Sequence, residues 1–273
     1  MLFLYINLDR QTDRRAFVEA NFAQFSAPDW QLRRVPAIEA DSVIPLRGDS
    51  KRTPSEIACF LSHIKALEIA SEHTGPVMIC EDDVLLGPQS SRIIPKLIDQ
   101  LDPAAWDLLF PDVVFGNLHV MIDLFQLRRS LMQKQEVRCL SLANYPAFFG
   151  STAYIVNHRS KPMILENLNL VPPKLPYDIA LREQIRGGKL QGYLMFPFVT
   201  SISKFADVST VQPGEGSMTE MIWNEFRRLM WIDRTPDTLN AQLPFVTRSI
   251  ADLETYHFSK ILEVSLSPSF KNK

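Results

Sequence analysis

The chain has 273 residues, 46% hydrophobic and 22% charged, with a formal net charge of −2 and a pI near 6.2. That length and apolar content suit one large α/β domain with a small addition. The charge balance offers nucleic acid no broad basic footprint, so no nucleic-acid partner is expected.

Three cysteines, Cys59, Cys80 and Cys139, are odd in number and far apart. They show neither metal-ligand spacing nor a disulfide framework, and Cys59 and Cys80 read as small core residues. The start, Met1 to Ile6, lacks a basic region and is too short for a signal peptide. No stretch approaches the roughly 20 apolar residues that span a bilayer. A cytoplasmic protein is expected.

Leu2 to Leu8 reads as a strand that ends in a polar cluster, Asn7-Leu8-Asp9-Arg10, continuing to Arg15. Thr12 or Asp13 can cap a helix running through Phe17, Val18 and Phe22. Open α/β sheets place ligands at such a strand-to-helix loop. Arg10, Arg14 and Arg15 could meet phosphates there, or simply form a solvated helix start. Leu32 to Ile38 reads as a second strand, followed by a polar loop from Asp41 to Arg52. Thr53-Pro54-Ser55-Glu56 combines an N-cap, a proline at N1 and a glutamate at N3, the pattern of a capping box. The helix behind it shows one face with Ile57, Phe60, Leu61, Ile64 and Leu67. Ser62 and His63 lie beside that face, and a lone helical histidine is commonly a surface or satisfied core residue.

Val77-Met78-Ile79-Cys80 is a buried strand by composition, entered from Gly75-Pro76. It runs into Glu81-Asp82-Asp83. Three adjacent carboxylates repel one another, and partial burial raises the cost. A divalent cation with a taste for carboxylate oxygen, Mg²⁺ or Mn²⁺, relieves both problems. A solvated acidic turn is the plainer reading. Along an extended strand end, Glu81 and Asp83 would face one side and Asp82 the other.

Gly150 to Val156 reads as a further strand after an aromatic loop with Tyr145, Phe148 and Phe149. Asp178 then opens a helix behind Pro172-Pro173-Lys174-Leu175-Pro176-Tyr177, where it could serve as an N-cap. Gly192 to Val199 reads as a strand, and a polar segment from Ser201 to Val211 follows. Met221 to Trp231 is an amphipathic helix with aromatic and basic residues. It could rest on an anionic bilayer as a peripheral membrane contact, but packing on its own domain is favoured.

The ordered set Tyr5-Ile6-Asn7-Leu8-Asp9-Arg10, Asp13-Arg14, Glu56 to His63 and Glu81-Asp82-Asp83 resembles glycosyltransferase family 25. That family includes bacterial lipopolysaccharide and lipooligosaccharide glycosyltransferases and collagen galactosyltransferases. The match covers residues 2–90 well and continues more loosely through Trp106 to Leu109, Gly150 to Val156 and the region of Asp178. Thr200-Ser201-Ile202-Ser203 stands where the pattern usually has a glutamine after the Phe-Pro pair. The resemblance implies a GT-A-like α/β fold, a Rossmann-type mixed central sheet flanked by helices. The catalytic domain would span residues 1–212, with a small helical C-terminal extension over 213–273.

The implied activity is inverting transfer of a sugar, often galactose, from a UDP-sugar donor to a glycan or glycolipid acceptor. The acidic triplet corresponds to the family's Asp-x-Asp signature, which points to Asp83 as a direct metal ligand and Glu81 as a second ligand or a water-mediated neighbour. Asp82 would bind donor hydroxyls, and Asn7, Asp9, Arg10, Arg14, Ser62 and His63 would line the donor pocket. Inversion needs a general base for the acceptor hydroxyl. The family pattern often has an acid near Asp178, which tips the reading of that residue toward the base; Asp207 is a weaker candidate for a distal contact. Two other classes stay open. A degenerate member could bind a nucleotide sugar or glycan without transferring it. A metal-dependent nucleotidyltransferase would also use strand-end acids, but would be expected to carry a Gly-rich phosphate loop.

Overall fold

A computed structural model describes residues 1–46, 48, 51–145, 147–168, 173–207 and 218–235, with 253, 254, 256, 257, 259 and 260. The chain forms two compact units, Met1–Asp233 and Arg234–Lys273. In the second, helical residues around Tyr256 and Lys260 place the ammonium over the tyrosine ring, 5.8 Å from its centroid.

The first unit begins with β1 (Leu2–Asn7), α1 (Thr12–Phe25), β2 (Gln31–Pro36), α2 (Pro54–Ser71), β3 (Val77–Glu81), β4 (Val84–Leu86) and α3 (Ser90–Gln100). It continues with β5 (Leu108–Phe110), β6 (Val114–Phe115), α4 (Leu118–Lys134), β7 (Arg138–Ser141), β8 (Phe148–Phe149) and β9 (Ala153–Val156). It closes with α5 (Lys161–Leu168), α6 (Tyr177–Arg186), β10 (Gly192–Phe196), β11 (Thr200–Ile202) and α7 (Met218–Met230). Seven strands form the central sheet in the order β2-β1-β3-β9-β5-β10-β7. β9 and β7 run antiparallel to their neighbours, and the other pairings are parallel. The expected mixed sheet flanked by helices is what the chain adopts.

The alternation of side chains along a strand explains the two-sided core. Leu2, Leu4 and Ile6 of β1, with Val77 and Ile79 of β3, join the cluster under α2, α4, α5, α6 and α7. Phe3 and Tyr5, with Met78 and Cys80, face the other way into a second cluster with α1 and α3. Each large side chain so buried contributes roughly 2 kcal/mol.

Thr53 forms the expected capping box with Glu56, and the helix it starts carries Ser62 and His63 to the sheet. The start of α1 differs from expectation. Gln11 is its cap residue, with no side-chain cap bond, and Thr12 and Asp13 are the first helical positions. α7 packs within the first unit, burying Phe226 and Met230, and both its arginines are engaged internally. Among the described residues, no helix is long and apolar enough to cross a membrane. Residues 208–211 of the expected polar segment lie outside the described residues.

Candidate functional site

The parallel strands β2, β1 and β3 end on the same side of the sheet, and the polar residues expected to carry function collect there. Glu81 is the last residue of β3, while Asp82 and Asp83 form the turn into β4. A turn does not keep strand alternation, so the expected division of faces gives way to a different one. Asp82 and Asp83 both lie within reach of Arg14, at 2.8 and 3.9 Å, and Glu81 turns toward α2 and β9.

Asp82 accepts from Asn7 Nδ2 at 2.7 Å and from Arg14 Nη1 at 2.8 Å. Arg14 also donates to the carbonyl of Phe205 at 2.6 Å and lies over that ring. Ser203 N–H reaches the carbonyl of Asp83 at 2.8 Å. The segment after β11 therefore closes over the acidic turn from one side.

Glu81 accepts from Ser151 Oγ at 2.9 Å, with Nε2 of His63 at 3.5 Å. Burial alone would raise its pKa, but His63 and Ser151 outweigh it and the net shift is downward. His63 is buried, stacks on Tyr177 with centroids 4.2 Å apart, and meets Tyr154 Oη through Nδ1 at 3.1 Å. Tyr154 in turn bonds Tyr177 at 2.7 Å. His63 is thus a satisfied core residue whose Nε2 edge still faces the site.

Asp83 is the unsatisfied member. Its Oδ1 is buried without a hydrogen-bond partner. Burial first, and then the charges of Glu81 and Asp82, push its carboxyl up to about 7. An orphaned oxygen in a repelling acidic turn fits a divalent cation, whose charge would stabilise the ionised form.

A cleft opens beside the turn. Asn7, Arg10, Ser62, His63, Glu81 and Asp82 line it, so six of the expected donor and metal residues share one wall. Asp9, Arg14, Asp83 and Asp178 do not line it. Asp9 is exposed on the loop beyond β1, with the Arg34 guanidinium holding its carboxyl below the usual range. Arg10 pairs with Glu39 at the mouth. Ser62 is spent on structure, donating to Ala58 O at 2.7 Å and accepting from Ile38 N–H at 2.8 Å. Asn7 is similarly occupied: Arg15 and Arg34 both donate to its Oδ1.

Asp178 lies near the start of α6 but is not its cap residue, which is Pro176. Its two oxygens accept from Gly150 N–H and from its own neighbour Ile179 N–H, both at 2.8 Å. Burial raises its pKa, while those two N–H groups pull it down. Asp207 pairs with Arg228 at 2.8 Å.

Cys59 is half-buried on the cleft wall rather than a core residue. Its Sγ, a His63 nitrogen and a Glu81 oxygen all lie within 4.8 Å of one another, a set that could hold a cation softer than Mg²⁺. The i, i+4 spacing of Cys59 and His63 on one helix was the available signal. Sequence reasoning also missed Ser151, Arg34, and the buried pair Arg227 and Asp112 at 2.6 Å. None of these carries a local motif, because their partners are far along the chain.

The fold and site define an α/β protein with an acidic turn at the carboxyl end of a parallel strand, beside a polar cleft. The profile of glycosyltransferase family 25 (LPS biosynthesis protein) matches residues 1–181. The chain belongs to glycosyltransferase family 25. Among solved structures, the galactosyltransferase LgtC in complex with donor and acceptor sugar analogs is similar at 12% identity and a TM-score of 0.32, covering 89% of this chain and 100% of that one. That likeness is too distant to transfer residue roles. No curated protein matches the chain.

Proposed function

We propose that this glycosyltransferase is an inverting enzyme that moves galactose from UDP-galactose onto a glycan such as lipopolysaccharide or lipooligosaccharide. The carrying observation is Asp83, an orphaned buried carboxylate in the acidic turn whose other two members, Glu81 and Asp82, line the cleft. Family membership supports glycosyl transfer; the donor, the stereochemistry and the metal are the proposal.

In this reading the cleft takes the nucleotide part of the donor. Arg10 faces the diphosphate side, with Asp9 on the rim, while Arg14 works from behind the acidic turn, where it and Asn7 hold Asp82 in place for a donor hydroxyl. Ser62 and His63 shape the wall from α2. A divalent cation, Mn²⁺ or Mg²⁺, held by Asp83 with Glu81, would neutralise the charge that develops on the departing UDP. Asp178 accepts the proton of the acceptor hydroxyl as that oxygen attacks the anomeric carbon from the face opposite UDP. Gly150 and Ser151 tie the two functions together, since Gly150 N–H holds Asp178 and Ser151 holds Glu81. The enzyme would work in the cytoplasm, at the inner face of the membrane where a lipid-linked acceptor is presented.

Calorimetry tests this with UDP-galactose, UDP-glucose and their N-acetyl forms, with and without Mn²⁺, on wild type and Asp83→Ala. Metal-dependent binding of one donor, lost in the variant, is expected. Absence of binding by every nucleotide sugar with metal present would overturn the donor site. Donor binding without transfer to any glycan would leave a binding protein, and nucleotide transfer would indicate a nucleotidyltransferase.

A further inference from the structure

The cleft described above accounts for the donor side of the acidic turn, whereas α7 approaches from beyond β11. Trp223 and Arg227 stand four residues apart on α7 and therefore share a face. Arg227 anchors that face: its Nε and Nη2 both donate to Oδ2 of Asp112, at 3.0 and 2.6 Å, and the pair is buried. α7 also packs on β11 and on β6, the strand that pairs with β8 and its Phe149.

One turn before Arg227, Trp223 meets Phe149 edge to face, with centroids 4.7 Å apart. Both rings are only half-buried. Phe149 is fixed from behind, because Gly116 leaves room for it: a Cβ there would come within 3.1 Å of its ring. The next residue, Gly150, has φ +96° and is the one held by Asp178, and Ser151 after it holds Glu81. An aromatic pair with exposed ring surface therefore lies one residue from the backbone group that fixes the proposed base.

Sugars present C–H groups on one pyranose face, and a rigid aromatic ring binds that face at low entropic cost. We propose that Trp223, braced by Phe149, is the acceptor subsite: it stacks the pyranose ring of the glycan acceptor beside Asp178. This inference rests on the transferase reading and adds to it the location and chemistry of acceptor binding. Simple core packing of Trp223 is the competing account, and it predicts no response to sugar.

The test uses full-length protein carrying 5-fluorotryptophan at its four tryptophans, with the Trp223 resonance assigned from Trp223→Phe. Methyl β-glycosides of galactose, glucose and N-acetylglucosamine are titrated, with sorbitol as the control polyol. The expected result is a saturable shift of the Trp223 signal alone, with sorbitol silent. Trp223→Ala should weaken glycoside binding by ~10-fold or more, Trp223→Phe should retain most of it, and UDP binding should be unchanged in both. A Trp223 signal that no glycoside moves overturns the subsite, and this reading on wild type does not depend on whether the alanine variant folds. If UDP-sugars bind while glycosides leave Trp223 untouched, the subsite alone fails. If no UDP-sugar binds, the transferase reading fails independently.

Discussion

Arg14 of α1 and Asp82 of the acidic turn, 68 residues apart in sequence, form a hydrogen-bonded ion pair at 2.8 Å with little exposure of either side chain. The same guanidinium grips the carbonyl of Phe205, so one side chain joins the first helix, the acidic turn and the segment after β11. Removing one partner of such a pair strands the other charge. Arg14→Ala should therefore cost about 3 kcal/mol in unfolding free energy and weaken UDP binding. Arg14→Ala/Asp82→Asn should cost less than the sum of the two single changes. Denaturant titration of the four proteins measures the coupling, and strict additivity would show that the pair is not coupled.

Asp83 behaves in the opposite sense. Its buried Oδ1 has no partner and its neighbours repel it, so its charge destabilises the metal-free fold. Asp83→Asn should leave the melting temperature in EDTA unchanged or higher. Mn²⁺ should raise the melting temperature of the wild type, and the same substitution should abolish that rise. A Mn²⁺-induced rise that survives in the variant would place the cation elsewhere, with Cys59, His63 and Glu81 as the next ligand set to test.

The contrast between these two aspartates shows where sequence reading reaches its limit. Local chemistry was legible: the Thr53 capping box, the alternating strand faces and the acids at the end of β3 all follow from neighbours in the chain. The division of labour among the three acids was not, because it depends on a turn at Asp82 and on Arg14, Ser151 and His63 arriving from elsewhere. The insertion of β9 between β3 and β5 was likewise hidden, since strand order is a long-range property. Cys59 was misread for a related reason. An apolar sequence context predicts burial, but the end of β3 opens a cleft against that part of α2.

Lys161 offers a structural prediction away from the site. Its ammonium is buried and donates to the carbonyls of His73 and Gly75, both at 2.7 Å. Lys161→Met keeps the length but leaves two carbonyls without that donor, and should cost ~1–3 kcal/mol at pH 7. Burial lowers the lysine to about 8 from 10.5. Between those values the folded state binds fewer protons than the unfolded state, so wild-type stability should gain with rising pH there. The variant should lack that gain. Denaturation at pH 7.5, 8.5 and 9.5 measures it, and parallel pH trends for the two proteins would contradict the assignment.

Asp178 separates catalysis from architecture most cleanly. Asp178→Asn keeps an amide oxygen that can accept from Gly150 N–H, so the loop should stay in place at a cost of about 1 kcal/mol. Loss of the carboxylate should lower kcat by roughly 10²- to 10⁴-fold with donor affinity unchanged. Burial raises this carboxyl above the ordinary aspartate value, against the two backbone N–H groups. A base works when ionised, so kcat/KM should fall as pH drops through that raised value, which lies above that of an ordinary aspartate. The linkage to stability has the reverse sign: a raised folded pKa favours the neutral form, and the stability it contributes is lost as pH rises through that value. A variant with wild-type kcat and a lower melting temperature would reduce Asp178 to a latch for Gly150. Full stability with kcat reduced a hundredfold or more would make it the base.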